Sequence, residues 1–269
     1  MERDLHVALA DGQILVHYQP KVDLTTGMPV GAEALVRWKH PQNGFVPPDR
    51  FLSIAADRGL MPDLTTTIFD TVRRDILEWR GRGLPFGRIA INIQPNDLKS
   101  PNTLLAHLRQ FLSVGITVDD LVIEITEGCF VGRDSDGAAL ALDGINEAGF
   151  ELSLDDFGTG HASLSHLRKL PIQELKIDRE FVTGICTNKH DRAIVSATIE
   201  IARCLNLRTV AEGVETREQI DALRLLGADL GQGYHWCRPV PRAEFETFLT
   251  RKGQSVPSGA RGAKQPTPG

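Results

Sequence analysis

Carboxylates and amides punctuate a series of apolar runs in this chain. Glu33 sits in "GAEALVRW", Asn92 closes "RIAIN", Glu124 lies in "LVIEI", Asp155 and Asp156 close "FELSLDD", Glu212 lies in "LRTVAEG" and Gln232 in "LGQG". Lys176 interrupts one more such run, "ELKID". A single acid in an apolar strand is ordinarily a matter of register, of an edge or of a buried pair. Acids and amides repeated run after run are harder to dismiss, because converging carboxylates repel, and a desolvated cluster is costly unless protonated or bound to cations. An oxygen-only donor set without His or Cys favours hard ions, Mg²⁺ or Mn²⁺, over zinc. Adjacent Asp155 and Asp156 suit two ions, one of them shared. Two ions about 3.5–4 Å apart are a known solution for phosphodiester hydrolysis, clamping the attacking and leaving oxygens. Lys176 among these acids could orient the attacking water, take its proton, or simply offset charge. Arg37 could meet a substrate phosphate.

These residues converge only if their runs are strands of one sheet. "GAEALVRW" by itself is ambiguous. As a helix it would pair Glu33 with Arg37 across one turn on a solvated face. As a strand it puts Glu33, Leu35 and Arg37 on one face with the two charges about 13 Å apart, each in need of its own partner. The rest of the chain decides for the strand. Ile14–Pro20 and Pro29–Val36, joined by the turn-prone "DLTTGM", predict a hairpin. Strands at Arg88–Asn92, Leu121–Ile125, Phe150–Asp156, Glu174–Asp178, Leu207–Gly213 and near "GADLGQGY" then alternate with amphipathic segments. Those segments carry Leu64, Ile68, Val72 and Ile76 (opened by Pro62-Asp63), then Leu104, Leu108 and Leu112, then Leu142 and Ile145. A short helix near "ASLSHLRK" follows, then helices bearing Ile194, Ala197, Ile201 and Leu205, then Ile220 and Leu223, and finally Phe245 and Leu249. Eight strands, six followed by crossover helices, predict an α/β fold: a TIM-like (βα)8 barrel with the first strand antiparallel. In such a barrel chemistry gathers at the C-terminal ends of the strands, where these polar residues fall.

The 269-residue chain can bury a core of that size, and its 41% hydrophobic and 24% charged composition is that of an ordinary globular protein. A formal net charge of -5 argues against binding a nucleic-acid polymer. No apolar run approaches the roughly 18 residues of a membrane span, and there is no cationic start with an apolar block behind it. The four cysteines, Cys129, Cys186, Cys204 and Cys237, show no CxxC spacing, which points to buried thiols in a reducing cytoplasm. The Gly-, Pro- and Ser-rich end predicts a disordered tail or linker over 253–269, behind a barrel domain over 1–252.

Taken in order, "YQP", "EALVRW", "IN", "EITE", "DDFGTG", "LKID", "AEGVE" and "GQGY" closely resemble the motifs of the EAL-domain phosphodiesterases, which hydrolyse the bacterial second messenger cyclic di-GMP. The resemblance runs from about Leu5 to Phe248. "DDFGTG" also contains the DFG of protein kinases, but no Gly-rich loop, HRD or VAIK accompanies it. The family resemblance implies a TIM-like barrel, usually dimeric, that cleaves cyclic di-GMP to linear pGpG with two Mg²⁺ or Mn²⁺ ions and is inhibited by Ca²⁺. Carried over by motif, it makes Glu33, Asn92, Glu124 and Asp155 ligands of one ion, and Asp155 and Asp156 ligands of the second with Glu212 nearby. Lys176 would act on the nucleophilic water and Gln232 would hold the arrangement. Gln19, Leu35 and Arg37 would touch the substrate, and Glu127 would anchor the "DDFGTG" loop; by their own chemistry Gly158 and Gly160 suit a loop folded over the site, with a plain tight turn as the alternative. The chain departs from the family pattern at His161, where an aromatic is frequent, at Gly128, where a small hydroxyl residue is usual, at Ala56 in place of a frequent Glu, and at Gln94 in place of Ser. None of the four is an implied ligand or the lysine. Two of them touch the loop, which keeps alive a second expectation: a catalytically weak cyclic di-GMP receptor that signals through a protein partner.

Overall fold

A computed structural model describes residues 2–130, 135–157, 167 and 170–253. In chain order it shows α1 (Glu2–Ala10), β1 (Ile14–Asp23), β2 (Pro29–His40), β3 (Gly44–Val46), α2 (Pro48–Asp57), α3 (Met61–Gly81) and β4 (Arg88–Ile93). Then follow α4 (Pro95–Leu98), α5 (Pro101–Ser113), β5 (Leu121–Thr126), α6 (Ser135–Glu147), β6 (Glu151–Phe157) and β7 (Glu174–Ile177). The last elements are α7 (Arg179–Gly184), α8 (Lys189–Cys204), β8 (Arg208–Ala211), α9 (Arg217–Leu226), β9 (Leu230–Gln232), β10 (Val240–Pro241) and α10 (Arg242–Gly253).

The expected barrel is present. Strands β2, β4, β5, β6, β7, β8 and β9 follow one another in parallel, and β1 closes the ring antiparallel to both β2 and β9. Two short strands outside the expectation pair with the barrel's first two: β3 with the end of β2, and β10 with His17 and Tyr18 in the middle of β1. Helices α1, α2, α4 and α7 are likewise additions. Their segments are short or sit beside prolines, so sequence periodicity has little length in which to show.

Strand alternation divides the barrel cleanly. On β1, Val16 and Tyr18 face the helices while Gln19 and Lys21 face the lumen, as the period of two requires. Tyr18 packs edge-on against Trp79 of α3, stacks on Phe245 of α10, and donates its hydroxyl hydrogen bond to Asp75 at 2.7 Å. The antiparallel strand is thereby fastened to the first long helix and the last one.

Three expectations about packing are corrected. On α8 the buried stripe is Val195, Thr198, Ile199 and Ala202, whereas Ile194 and Leu205 are exposed. Two adjacent stripes with helical spacing exist there, and Thr198 dilutes the apolarity of the one that packs. Leu112 of α5 is 39% exposed, and Phe111 fills the core in its place. Of the cysteines, Cys129 is buried, but Cys186 and Cys204 are exposed at helix ends. Apart from Leu167, which is helical and buried, the segment "ASLSHLRK" lies outside the described residues, as do Gly158, Gly160 and His161 of the loop after Phe157 and the tail beyond Gly253. Among those described, no helix is long and apolar enough to cross a membrane.

Candidate active site

Register explains why the polar residues meet. Glu33 on β2 lies directly opposite Gln19 on β1, Gln232 on β9 opposite Lys21, and Asn92 on β4 opposite Glu124 on β5. Asp155 sits beside Thr126, and its strand breaks register between Leu154 and Phe157. This is a β-bulge, with Asp156 in the left-handed region at φ 57° and its backbone N–H donating to Asp155 Oδ1 at 2.8 Å. A bulge re-aims consecutive side chains, and here Asp156 stays close enough to Asp155 and Lys176 to feel both charges. An Asp tolerates this backbone better than most residues. Glu212 follows β8 directly and extends the ladder by its N–H to Ile177 O at 3.1 Å.

Lys176 is the centre of the arrangement. Fully buried, its Nζ lies 2.7 Å from Glu212 Oε1, 2.9 Å from Asp155 Oδ2, 3.1 Å from Glu124 Oε2 and 3.6 Å from Glu33 Oε2. Burial disfavours the ammonium, but Asp155, Glu124, Glu212 and Glu33 together hold it well above its ordinary range. The acids respond unequally. Burial pushes Glu33 up, yet Lys176 and hydrogen bonds from Asn92 and Gln232 overcome it and leave the carboxyl below its usual value. Glu124 is raised by burial and by Glu33. Glu212 is pushed up to about 8, chiefly by burial, against the pull of Lys176 and with Asp155 and Glu33 adding to the rise, and Asp156 to about 6 by burial and Asp155.

The amides serve Glu33. Asn92 Nδ2 donates to Glu33 Oε1 at 2.6 Å, and Gln232 Nε2 donates to Glu33 Oε2 at 2.6 Å and to Gln19 Oε1 at 3.1 Å. Gln19 in turn donates to the carbonyl of Cys237 at 3.2 Å. The structure therefore brings together Gln19, Glu33, Asn92, Glu124, Asp155, Lys176, Glu212 and Gln232, with Asp156 next to them.

Among the described residues no three acidic, His or Cys side chains close on one point in ligand geometry; four acids close on Lys176 instead. The donor set nevertheless fits hard cations. It is made of carboxylate and amide oxygens alone, and its acids outnumber the lysine. One polar atom, Gln232 Oε1, is buried beside Glu33 with no hydrogen-bond partner, as an acceptor meant for an added water or ion would be.

Above the cluster opens a cleft of about 710 Å³ lined by Gln19, Glu33, Leu35, Asp155, Glu212 and Gln232. Leu35 is thus part of its wall. Arg37, half-buried, donates to Val36 O at 2.8 Å and lines an adjoining recess that reaches Asn92 and Asp97. Glu127 is buried directly after β5. A Cβ at Gly128 would meet only Thr126 Oγ1 at 3.6 Å, so the glycine there is not a steric necessity. Gln94 caps α4, its N–H bonded to Asp97 at 2.9 Å.

Three residues of the site escaped the sequence reading. Arg179 and Tyr234 line the cleft, Tyr234 with the guanidinium of Arg238 4.1 Å above its ring. Lys21 lies under the acids, its Nζ 2.8 Å from both Glu124 Oε1 and Glu174 Oε1. The alternation that placed Gln19 in the lumen places Lys21 there too, which was the available signal.

Comparison with known proteins identifies the family. The family model described as EAL domain matches residues 2–239. The chain is 38% identical to the bifunctional diguanylate cyclase/cyclic di-GMP phosphodiesterase MucR of Pseudomonas aeruginosa, over 90% of this chain and 35% of that protein. It is also 38% identical to the cyclic di-GMP phosphodiesterase NbdA of the same organism, over 93% of this chain and 32% of the relative. The chain thus spans about a third of the length of these curated relatives. Among solved structures, the PaMucR phosphodiesterase in complex with c-di-GMP superposes with a TM-score of 0.83 at 38% identity, covering 90% of this chain and 98% of that one. The EAL enzyme Bd1971, bound to cAMP and cyclic di-GMP, gives a TM-score of 0.85 at 29% identity, covering 92% and 68%. With the family model spanning nearly all of the described barrel, this chain belongs to the EAL domain family.

Proposed function

We propose that the chain is a phosphodiesterase that hydrolyses cyclic di-GMP to linear pGpG with two divalent ions, Mg²⁺ or Mn²⁺, and that Ca²⁺ inhibits it. The observation that carries the reading is the convergence of Glu33, Glu124, Asp155 and Glu212 on one buried lysine at the C-terminal mouth of the barrel. Relatives named cyclic di-GMP phosphodiesterases support the substrate.

Glu33, Asn92, Glu124 and Asp155 would hold one ion, and Asp155 and Asp156 the other, beside Glu212. Bound there, the ions supply Lewis-acid polarisation of the phosphoryl oxygens and a water acidified for attack. The chain's own residues set the stage. Asn92 and Gln232 orient Glu33 through both carboxylate oxygens. Lys176 is held protonated by its acid neighbours, which favours orienting the water and offsetting charge over accepting a proton. Gln19 and Leu35, which line the cleft, and Arg37 in the adjoining recess would receive the nucleotide, Arg37 through its guanidinium and a phosphate. Glu127 would anchor the loop that follows β6, and we further propose a homodimer and a barrel domain over 1–252 followed by a tail.

The test is a chromatographic assay of cyclic di-GMP with the full chain in Mn²⁺, Mg²⁺ or Ca²⁺. Appearance of pGpG with Mn²⁺ or Mg²⁺ and not with Ca²⁺ is the expected result. Nucleotide that binds and stays intact under every ion would make the chain a receptor instead, and absence of binding would refute the substrate.

A further inference from the structure

Glu124 is the most deeply enclosed acid of the site, and its two oxygens have separate employers. Oε2 faces Lys176 at 3.1 Å, whereas Oε1 is taken by Lys21 Nζ at 2.8 Å from the opposite side of the lumen. Lys21 is only 4% exposed. It is itself held by Glu174 Oε1 at 2.8 Å, and Glu174 accepts further bonds from Ser153 Oγ at 3.0 Å and Arg208 Nε at 3.1 Å. Arg208 is tied onward to Glu151 at 2.7 Å. This chain of partners runs down the lumen beneath the acids and has no place in the reaction as derived above. Lys21 cannot swing away cheaply, since that would strip a buried cation of both of its carboxylates.

We infer that Lys21 is a positioning residue that confines Glu124 to one-oxygen ligation and thereby sets which ion the site prefers. The inference rests on the proposed metal-dependent reading. Mg²⁺ and ions of similar size demand near-octahedral coordination, which single carboxylate oxygens supply, whereas Ca²⁺ takes six to eight oxygens and readily uses both oxygens of a carboxylate. With Oε1 occupied by Lys21, Glu124 offers a calcium ion one oxygen where it would use two. Lys21 so placed discriminates against the larger ion without touching it, as outer partners of metal ligands do elsewhere. A lysine that served only to balance charge would instead weaken or strengthen every divalent ion alike.

Equilibrium titration calorimetry of the full chain with Mn²⁺ and with Ca²⁺, in the absence of nucleotide, separates these roles. In Lys21→Met the ratio of the two dissociation constants shifts toward calcium by about tenfold relative to the unsubstituted chain. Should circular dichroism show Lys21→Met unfolded, the double variant Lys21→Met/Glu174→Gln, which removes the buried opposite charge as well, gives the same shift. A ratio that stays within threefold, whether both affinities fall together or neither changes, overturns the inference while leaving the metal site intact. An unsubstituted chain that binds neither ion refutes the metal-dependent reading itself.

Discussion

Lys176 and Glu33 have opposite relations to the charge around them, and their substitutions separate accordingly. Removing Lys176 leaves Glu33, Glu124, Asp155 and Glu212 buried without their shared cation. Breaking a buried ion cluster in this way costs on the order of 3–5 kcal/mol. Lys176→Ala is therefore expected to melt well below the unsubstituted chain in chelator, and to recover most of the loss in Mn²⁺, because ions can take over the same carboxylates. Its turnover of cyclic di-GMP falls by about 10²- to 10⁴-fold while nucleotide binding survives, since the cleft walls are untouched. Glu33→Ala removes the acceptor of both Asn92 and Gln232 and abolishes turnover, with little stabilisation by Mn²⁺. Thermal melts with and without ion, beside the chromatographic assay, read both variants; retained turnover in either counts against its role. These residues were legible because strand alternation exposes an acid that breaks an apolar run. Lys21 was not singled out, because a lysine near a strand end reads as a solvated edge until its two buried acids are seen around it.

Elements place these side chains through contacts that leave no room for error. Gly31 on β2 stands opposite Arg88 on β4, and a Cβ on Gly31 would lie 2.2 Å from the Arg88 carbonyl oxygen. Gly87, at φ +68°, repeats the constraint from the other side, with a Cβ 2.0 Å from the Val30 carbonyl oxygen. Close passage of the two backbones fixes β2 two residues before Glu33. Gly83, in the same loop at φ +66°, has nothing within 4 Å of its added Cβ. Gly83→Ala should then cost only the left-handed penalty, about 1 kcal/mol, and leave turnover alone. Gly87→Ala adds a backbone clash that only strand displacement relieves, about 2–3 kcal/mol more, and lowers turnover by moving Glu33. Denaturant unfolding and the hydrolysis assay compare the two; equal costs would dismiss the close passage as a constraint. At this scale the barrel order was legible from alternating patterns, whereas side-chain direction on α8 was not. Two stripes one residue apart satisfy the same helical period, and only the surface they meet chooses Val195, Ile199 and Ala202 over Ile194 and Leu205.

Across the whole molecule, charge is layered along the barrel axis: acids crowd around Lys176 at the C-terminal mouth, and cations bind acids below it. In the lower layer Lys21 and Arg208 overcome the burial that would raise Glu174 and hold its carboxyl down at about 2, from an ordinary 4.5. A carboxyl depressed in the folded state contributes stability that is fully present above its unfolded value and is lost as pH falls through the folded one. The window for Glu174 therefore runs from about pH 4.5 down to about pH 2, and the contribution at stake is of the order of a few kcal/mol. In Glu174→Gln no proton is taken up at this position, so the fall in unfolding free energy across that window flattens relative to the unsubstituted chain. The variant also leaves Lys21 with Glu124 as its one remaining carboxylate, so it starts from lower stability at neutral pH. Urea unfolding in chelator at pH 6, 4, 3 and 2 measures both effects together. Parallel stability curves for the two proteins would show that the lower layer is not what acid dismantles, and that the upper acids alone carry the pH dependence.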